Sequence, residues 1–144
     1  SGNTMLVEVK SDKHIGKSRN ALFELCRIHH ASETTCAYLG WSVFSESDRV
    51  FVWCPDTSEL YVFWTSDLRR AMQGYTHEKR KDSRIEYIAS DSTRSTINVL
   101  SPLEYVAYMV YQKRDGKWIN IGDYRAVRVL HATKMQKITR KAAA

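Results

Sequence analysis

The sequence predicts an α/β (α+β) domain, and three observations carry that expectation. Met5, Val7 and Val9 alternate with Leu6, Glu8 and Lys10, a two-residue period that reads as a strand. Arg49–Cys54 and Glu59–Trp64 are aromatic and β-branched runs on either side of Pro55-Asp56-Thr57-Ser58, which makes a hairpin. Helix start signals follow at Thr65-Ser66-Asp67 and at Ser101-Pro102. With 144 residues, 43% of them hydrophobic and 11% aromatic, the chain is expected to form one domain over residues 1–144.

The first strand sets the chemistry. Glu8 and Lys10 project from the same face, about 7 Å apart along the strand, so both reach one small polar pocket. A carboxylate offers a hard oxygen to a divalent cation, and an ammonium can orient water or stabilise charge on a phosphate. The same pair also suits a half-exposed strand carrying a surface ion pair. Asp12 to Arg19 (DKHIGKSR) follows as an exposed loop, either a solvated connection or a cationic cover over a phosphate backbone through Lys13, Lys17 and Arg19.

Ala21 to Ile28 fits helix or strand periodicity; the strand is preferred, and it would bring Glu24 back beside Glu8 and Lys10 if the two strands are neighbours. His29-His30 reads as two surface imidazoles. Trp41 to Ser45 precedes the hairpin, and Leu68 to Met72 forms a short helix stopped by Gly74. Trp41, Trp53 and Trp64 would serve an interaction surface if exposed, but their alternation along strands assigns most of them to the core. His77 to Arg84 is a solvated or nucleic-acid-contacting loop before the small apolar group Ile85, Tyr87 and Ile88. Ile97 to Leu100 is a strand, and Ser101-Pro102 starts a helix through Val110 whose stripe Leu103, Val106, Ala107 and Val110 faces the core. Asp115-Gly116 is a turn; Trp118–Ile121 and Tyr124–Leu130 make a terminal hairpin, and residues 134–144 a basic, frayed tail.

Lys and Arg number 22 against 16 Asp and Glu, a net charge of +6 that permits a polyanionic partner without requiring one. Three cysteines without CxxC spacing argue against a disulfide framework or a zinc ribbon and read as free thiols in a reducing, cytoplasmic compartment. No apolar run reaches 18 residues, so no membrane partner is expected.

Two stretches together resemble small phage-type nucleases of the PD-(D/E)xK class. Val7-Glu8-Val9-Lys10-Ser11-Asp12 with its basic loop and Arg19 to Leu25 is similar to the ExK strand and the segment after it. Gly40 to Phe63 with Ser66 to Met72, and Asn98 to Val106, look like the later hairpin, helix and strand. The resemblance spans roughly residues 5 to 110. It implies a restriction-endonuclease-like core, a central mixed sheet flanked by helices, here with an extra C-terminal hairpin. It also implies an Mg²⁺-dependent DNA endonuclease, Mn²⁺ substituting, in the cytoplasm of a phage host, with a homodimer as a candidate state. Carried over by position, Glu8, Lys10 and Glu24 are catalytic, Glu8, the Val9 carbonyl and Glu24 hold metal, and Lys13, Lys17, Arg19 and Asn20 hold DNA. Asp48 falls on a turn aspartate and reads as structural. The family's further aspartate before ExK has no counterpart in the seven residues ahead of Glu8, so either the chain begins inside its gene or Glu24 or Asp12 substitutes. A catalytically impaired nucleic-acid-binding protein of the same fold is the alternative.

Overall fold

The computed structural model describes residues 4–28, 38–78, 85–90 and 94–125. The α+β class holds, but strands dominate and are divided between two sheets. The five-stranded sheet has the order β1-β4-β5-β8-β9 and the four-stranded sheet the order β3-β2-β7-β6. Their strands are β1 (Val7–Ser11), β2 (Asn20–Ile28), β3 (Tyr38–Leu39), β4 (Arg49–Cys54), β5 (Glu59–Trp64), β6 (Ile85–Ser90), β7 (Ser95–Pro102), β8 (Tyr108–Arg114) and β9 (Lys117–Asp123). The helices are α1 (Ile15–Ser18), α2 (Trp41–Phe44) and α3 (Thr65–Glu78).

The five-stranded sheet is mixed: β1 runs parallel to β4 at one edge, and every other pairing in it is antiparallel. Residues directly opposite one another share a sheet face. Glu8 pairs with Val50 and Lys10 with Val52, while Val50 pairs with Phe63 and Val52 with Tyr61. Val50, Val52, Tyr61 and Phe63 are all core residues, so the expected charged pair projects from the core-facing side of an edge strand. Phe23 of β2 joins the sheets through an edge-on contact with Phe63, ring centroids 5.4 Å apart. Leu68, Ala71 and Met72 of α3 enter the same core.

The expected hairpin and the β2 strand are present over their expected spans. Four readings are corrected. First, α3 continues through Gly74: an interior glycine costs roughly 1 kcal/mol, which the buried Leu68, Ala71 and Met72 outweigh. Second, no helix follows Ser101-Pro102. A single 3-10 turn at Leu103–Tyr105 gives way to extended Val106 and then β8, because Tyr108 and Val110 alternate onto the core face between β5 and β9. The stripe Leu103, Val106, Ala107 and Val110 is nevertheless buried. Third, β9 pairs back with β8 around Asp115-Gly116, whose φ values of 49° and 73° suit a primed hairpin turn. Fourth, Cys26 is disulfide-bonded, and Cys54 is the free, buried thiol among the described residues. Spacing that excludes a zinc ribbon does not forbid a single bridge. His29-His30, Cys36, residues 79–84, 126–130 and the basic tail lie outside the described residues. Among those described, no helix is long and apolar enough to cross a membrane.

Candidate functional site

A cleft of about 650 Å³ opens where the end of β1 meets the four-stranded sheet. Lys10, Asp12 and Lys13 line it from one side, Asn20 and Glu24 of β2 and Asn98 of β7 from the other, and Trp41 and Arg94 also border it. Glu24 pairs with Asn98 across β2 and β7, and the register slips between Glu24 and Cys26. A bulge of this kind bends its strand and re-aims the neighbouring side chains. Here Gly40 N–H donates to the Leu25 carbonyl at 2.8 Å, and Trp41 N–H donates to Glu24 Oε2 at 3.3 Å.

Trp41 organises the site. Its ring meets Phe23 edge-on at 6.0 Å, and Lys10 Nζ stands 5.5 Å from its centroid. A cation over an indole face is worth about 0.5–1 kcal/mol at an exposed site, enough to bias the ammonium toward the cleft. On its other side Trp41 borders a second recess of about 520 Å³ with Glu8, Leu6, Leu39 and Phe44. The three expected catalytic residues therefore all lie near Trp41: Lys10 beside its ring, Glu24 bonded to its backbone N–H and Glu8 in the adjoining recess. Glu8 Oε2 is buried with no hydrogen-bond partner.

A metal ion fits this arrangement in part. The unpartnered Glu8 oxygen is a ready ligand, but Glu24 Oε2 already accepts from Trp41 N–H. Among the described residues no three His, Cys, Asp or Glu side chains gather at metal-holding distance. Mg²⁺ would therefore depend on water and phosphate oxygens for most of its shell. The Val9 carbonyl lies on the strand between Glu8 and Lys10, and the Val9 side chain points to the opposite face, 66% exposed.

The expected basic loop contains a short helix, α1. Ile15 is fully buried and anchors α1, and Arg19 ends that helix in the left-handed region at φ 59°. The Arg19 guanidinium donates to the hydroxyls of Tyr61 at 3.0 Å and Tyr108 at 3.1 Å, which ties it to β5 and β8. Lys13 and Asn20 border the cleft, while Lys17 is exposed on α1 away from the cleft wall. Asp48 accepts from Leu6 N–H through its carboxylate at 2.9 Å, the turn role expected for it.

Sequence reasoning missed Trp41, Arg94, Thr96 and Asn98. Asn98 carried a signal, a polar residue amid the apolar Ile97-Asn98-Val99, and it is buried with Nδ2 donating to Thr96 Oγ1 at 2.9 Å. Trp41 carried none, because its contacts come from β1 and β2. Comparison with protein-family models, curated proteins and solved structures returns no match.

Proposed function

We propose that the cleft beside Trp41 binds the phosphate backbone of nucleic acid, DNA first among the candidates. The observation that carries this reading is the clustering of Lys10, Lys13 and Arg94 with the neutral donor Asn20 on one cleft. Cations supply the affinity, and neutral amides fix phosphate and sugar oxygens without choosing a sequence. Asp12 and Glu24 in the same cleft limit its net positive charge. Fluorescence anisotropy with a labelled DNA duplex across a salt series tests it. Lys10→Ala is expected to weaken binding about tenfold and to reduce the slope of log affinity against log salt by about 1. Equal affinity and slope in the variant would sink the proposal.

Hydrolysis is the second reading, favoured by the unpartnered Glu8 oxygen on the strand that carries Lys10. In it the protein is a metal-dependent endonuclease with a restriction-endonuclease-like core, a finer fold supported by the mixed sheet and by Glu8 and Lys10 on β1 beside the β4–β5 hairpin. The second sheet and the short helices are not part of that expectation. Glu8 would hold Mg²⁺ or Mn²⁺, and the ion would supply Lewis-acid stabilisation of the scissile phosphate. Lys10 would hold the attacking water or the phosphate oxygen, and Glu24 would fix Trp41 and so the position of Lys10. Plasmid nicking that needs Mg²⁺ or Mn²⁺ and disappears in Glu8→Ala supports hydrolysis. Binding without nicking leaves the first reading alone.

A further inference from the structure

We infer that the outer face of the five-stranded sheet is a second surface, one that stacks the bases of single-stranded nucleic acid. Strand register puts Phe51, Trp53, Trp64, Tyr111 and Trp118 together on the side opposite Glu8 and Lys10. Val9 pairs with Phe51, Trp53 with Leu60, Leu60 with Tyr111, Lys113 with Trp118, and Arg49 with Trp64. None of these aromatic side chains is buried, and Trp118 is 49% exposed.

The aromatics are interleaved with cations. Arg49 and Arg125 lie 4.8 Å and 5.4 Å from the Trp64 centroid, and Lys113 lies 5.8 Å from that of Trp118. Trp118 in turn meets Trp53 edge-on at 5.8 Å, so the platform is continuous from β4 to β9. Arg125 is ion-paired to Asp123, which leaves Arg49 and Lys113 as the main positive partners. Charge complementarity selects the occupant. An apolar partner protein would gain nothing from guanidinium and ammonium groups held against indole rings. A single strand offers both halves of the match, phosphates for Arg49 and Lys113 and a base π-face for each indole. Duplex sides do not, because their bases are already stacked on one another, and a duplex end offers only the outer face of its terminal pair.

This inference stands apart from the cleft, which lies on the other side of the sheet. The full chain is titrated with labelled oligo-dT, oligo-rU and a duplex of equal length, followed by anisotropy and tryptophan fluorescence, with sedimentation velocity alongside. Single strands are expected to bind at least tenfold more tightly than duplex and to quench tryptophan emission. Equal oligo-dT and oligo-rU affinity marks recognition of stacked bases, and a preference for rU adds contacts to the ribose hydroxyl; both support the surface. Trp118→Ala, at a half-exposed position, is expected to lose about tenfold in single-strand affinity while its melting temperature falls by no more than a few degrees, the loss of its edge-on contact with Trp53. Lys113→Glu is expected to lose about tenfold as well. Wild-type single-strand affinity in both Trp118→Ala and Lys113→Glu overturns the inference. So does a dimer that dissociates in Trp118→Ala, which would assign the face to a second copy of the chain.

Discussion

Glu8 is the residue on which the hydrolytic reading turns. Its Oε2 is buried without a donor on the core-facing side of an edge strand. A carboxylate oxygen left this way costs about 1–3 kcal/mol, because folding removes its water and returns nothing. Glu8→Gln replaces the carboxylate by a neutral amide of the same shape, so without divalent ions the variant is expected to be as stable as the wild type or up to about 2 kcal/mol more stable. An ion bound at Glu8 reverses that order, since a ligand that binds only the folded state stabilises it by mass action. Thermal melts with and without millimolar Mg²⁺ or Mn²⁺ decide the matter: the wild type should gain several degrees and Glu8→Gln should not. A variant that melts well below the wild type in chelator would mean that Glu8 has a donor in solution, and the cation reading would lose its support.

At the scale of elements, the junction of β2, β3 and α2 aims Trp41. Gly40 sits so tightly over β2 that an added Cβ would meet the Glu24 carbonyl oxygen at 2.5 Å and its carbon at 2.7 Å. Backbone atoms cannot swing aside as a side-chain tip can. Gly40→Ala is therefore expected to cost about 1–3 kcal/mol and to pull Trp41 N–H off Glu24. Gly116→Ala is the control, since nothing lies within 4 Å of its Cβ and only its φ of +73° is strained; its cost is about 1–2 kcal/mol. Urea melts should show both losses, and DNA anisotropy should fall in Gly40→Ala alone. This junction also marks the limit of what the sequence discloses. The alternation in Met5–Lys10, in β2 and in the β4–β5 hairpin is local and was legible, and with it the shared face of Glu8 and Lys10. The helix expected after Pro102 was not excluded by any local signal, because Leu103, Val106, Ala107 and Val110 satisfy helical periodicity while also being buried in a turn and strand. Trp53 and Trp64 alternate as core residues would, yet the alternation says only that they share a face. Which face the core occupies follows from long-range pairing with β1, β8 and β9.

For the whole molecule, a polar contact that ties the end of α1 to the five-stranded sheet, beside the apolar Phe23–Phe63 contact, is the Arg19 clamp. Its guanidinium joins the end of α1 to Tyr61 on β5 and Tyr108 on β8, and Tyr61 in turn donates to Glu59 Oε1 at 3.3 Å. Burial, the leading cause, raises both phenols above their ordinary range, with Arg19 opposing. The consequence for stability has a definite sign. An unfolded tyrosine ionises near pH 10, whereas these two keep their protons in the folded state, so the unfolded state binds fewer protons at alkaline pH. Their contribution is complete below about pH 10 and is lost as pH rises above it. Lysines titrate in the same region, so the informative quantity is the difference between the wild type and Tyr61→Phe. At pH 7 the variant is expected to be about 1 kcal/mol less stable, because Arg19 and Glu59 lose a partner. That gap should close steadily between about pH 10 and 11, since phenylalanine has no proton to release in the unfolded chain. Urea midpoints by circular dichroism at half-unit steps from pH 7 to 11 measure it. A gap that stays constant to pH 11 would mean that Tyr61 ionises as easily folded as unfolded, and the clamp would then hold an exposed phenol rather than join α1 to the core.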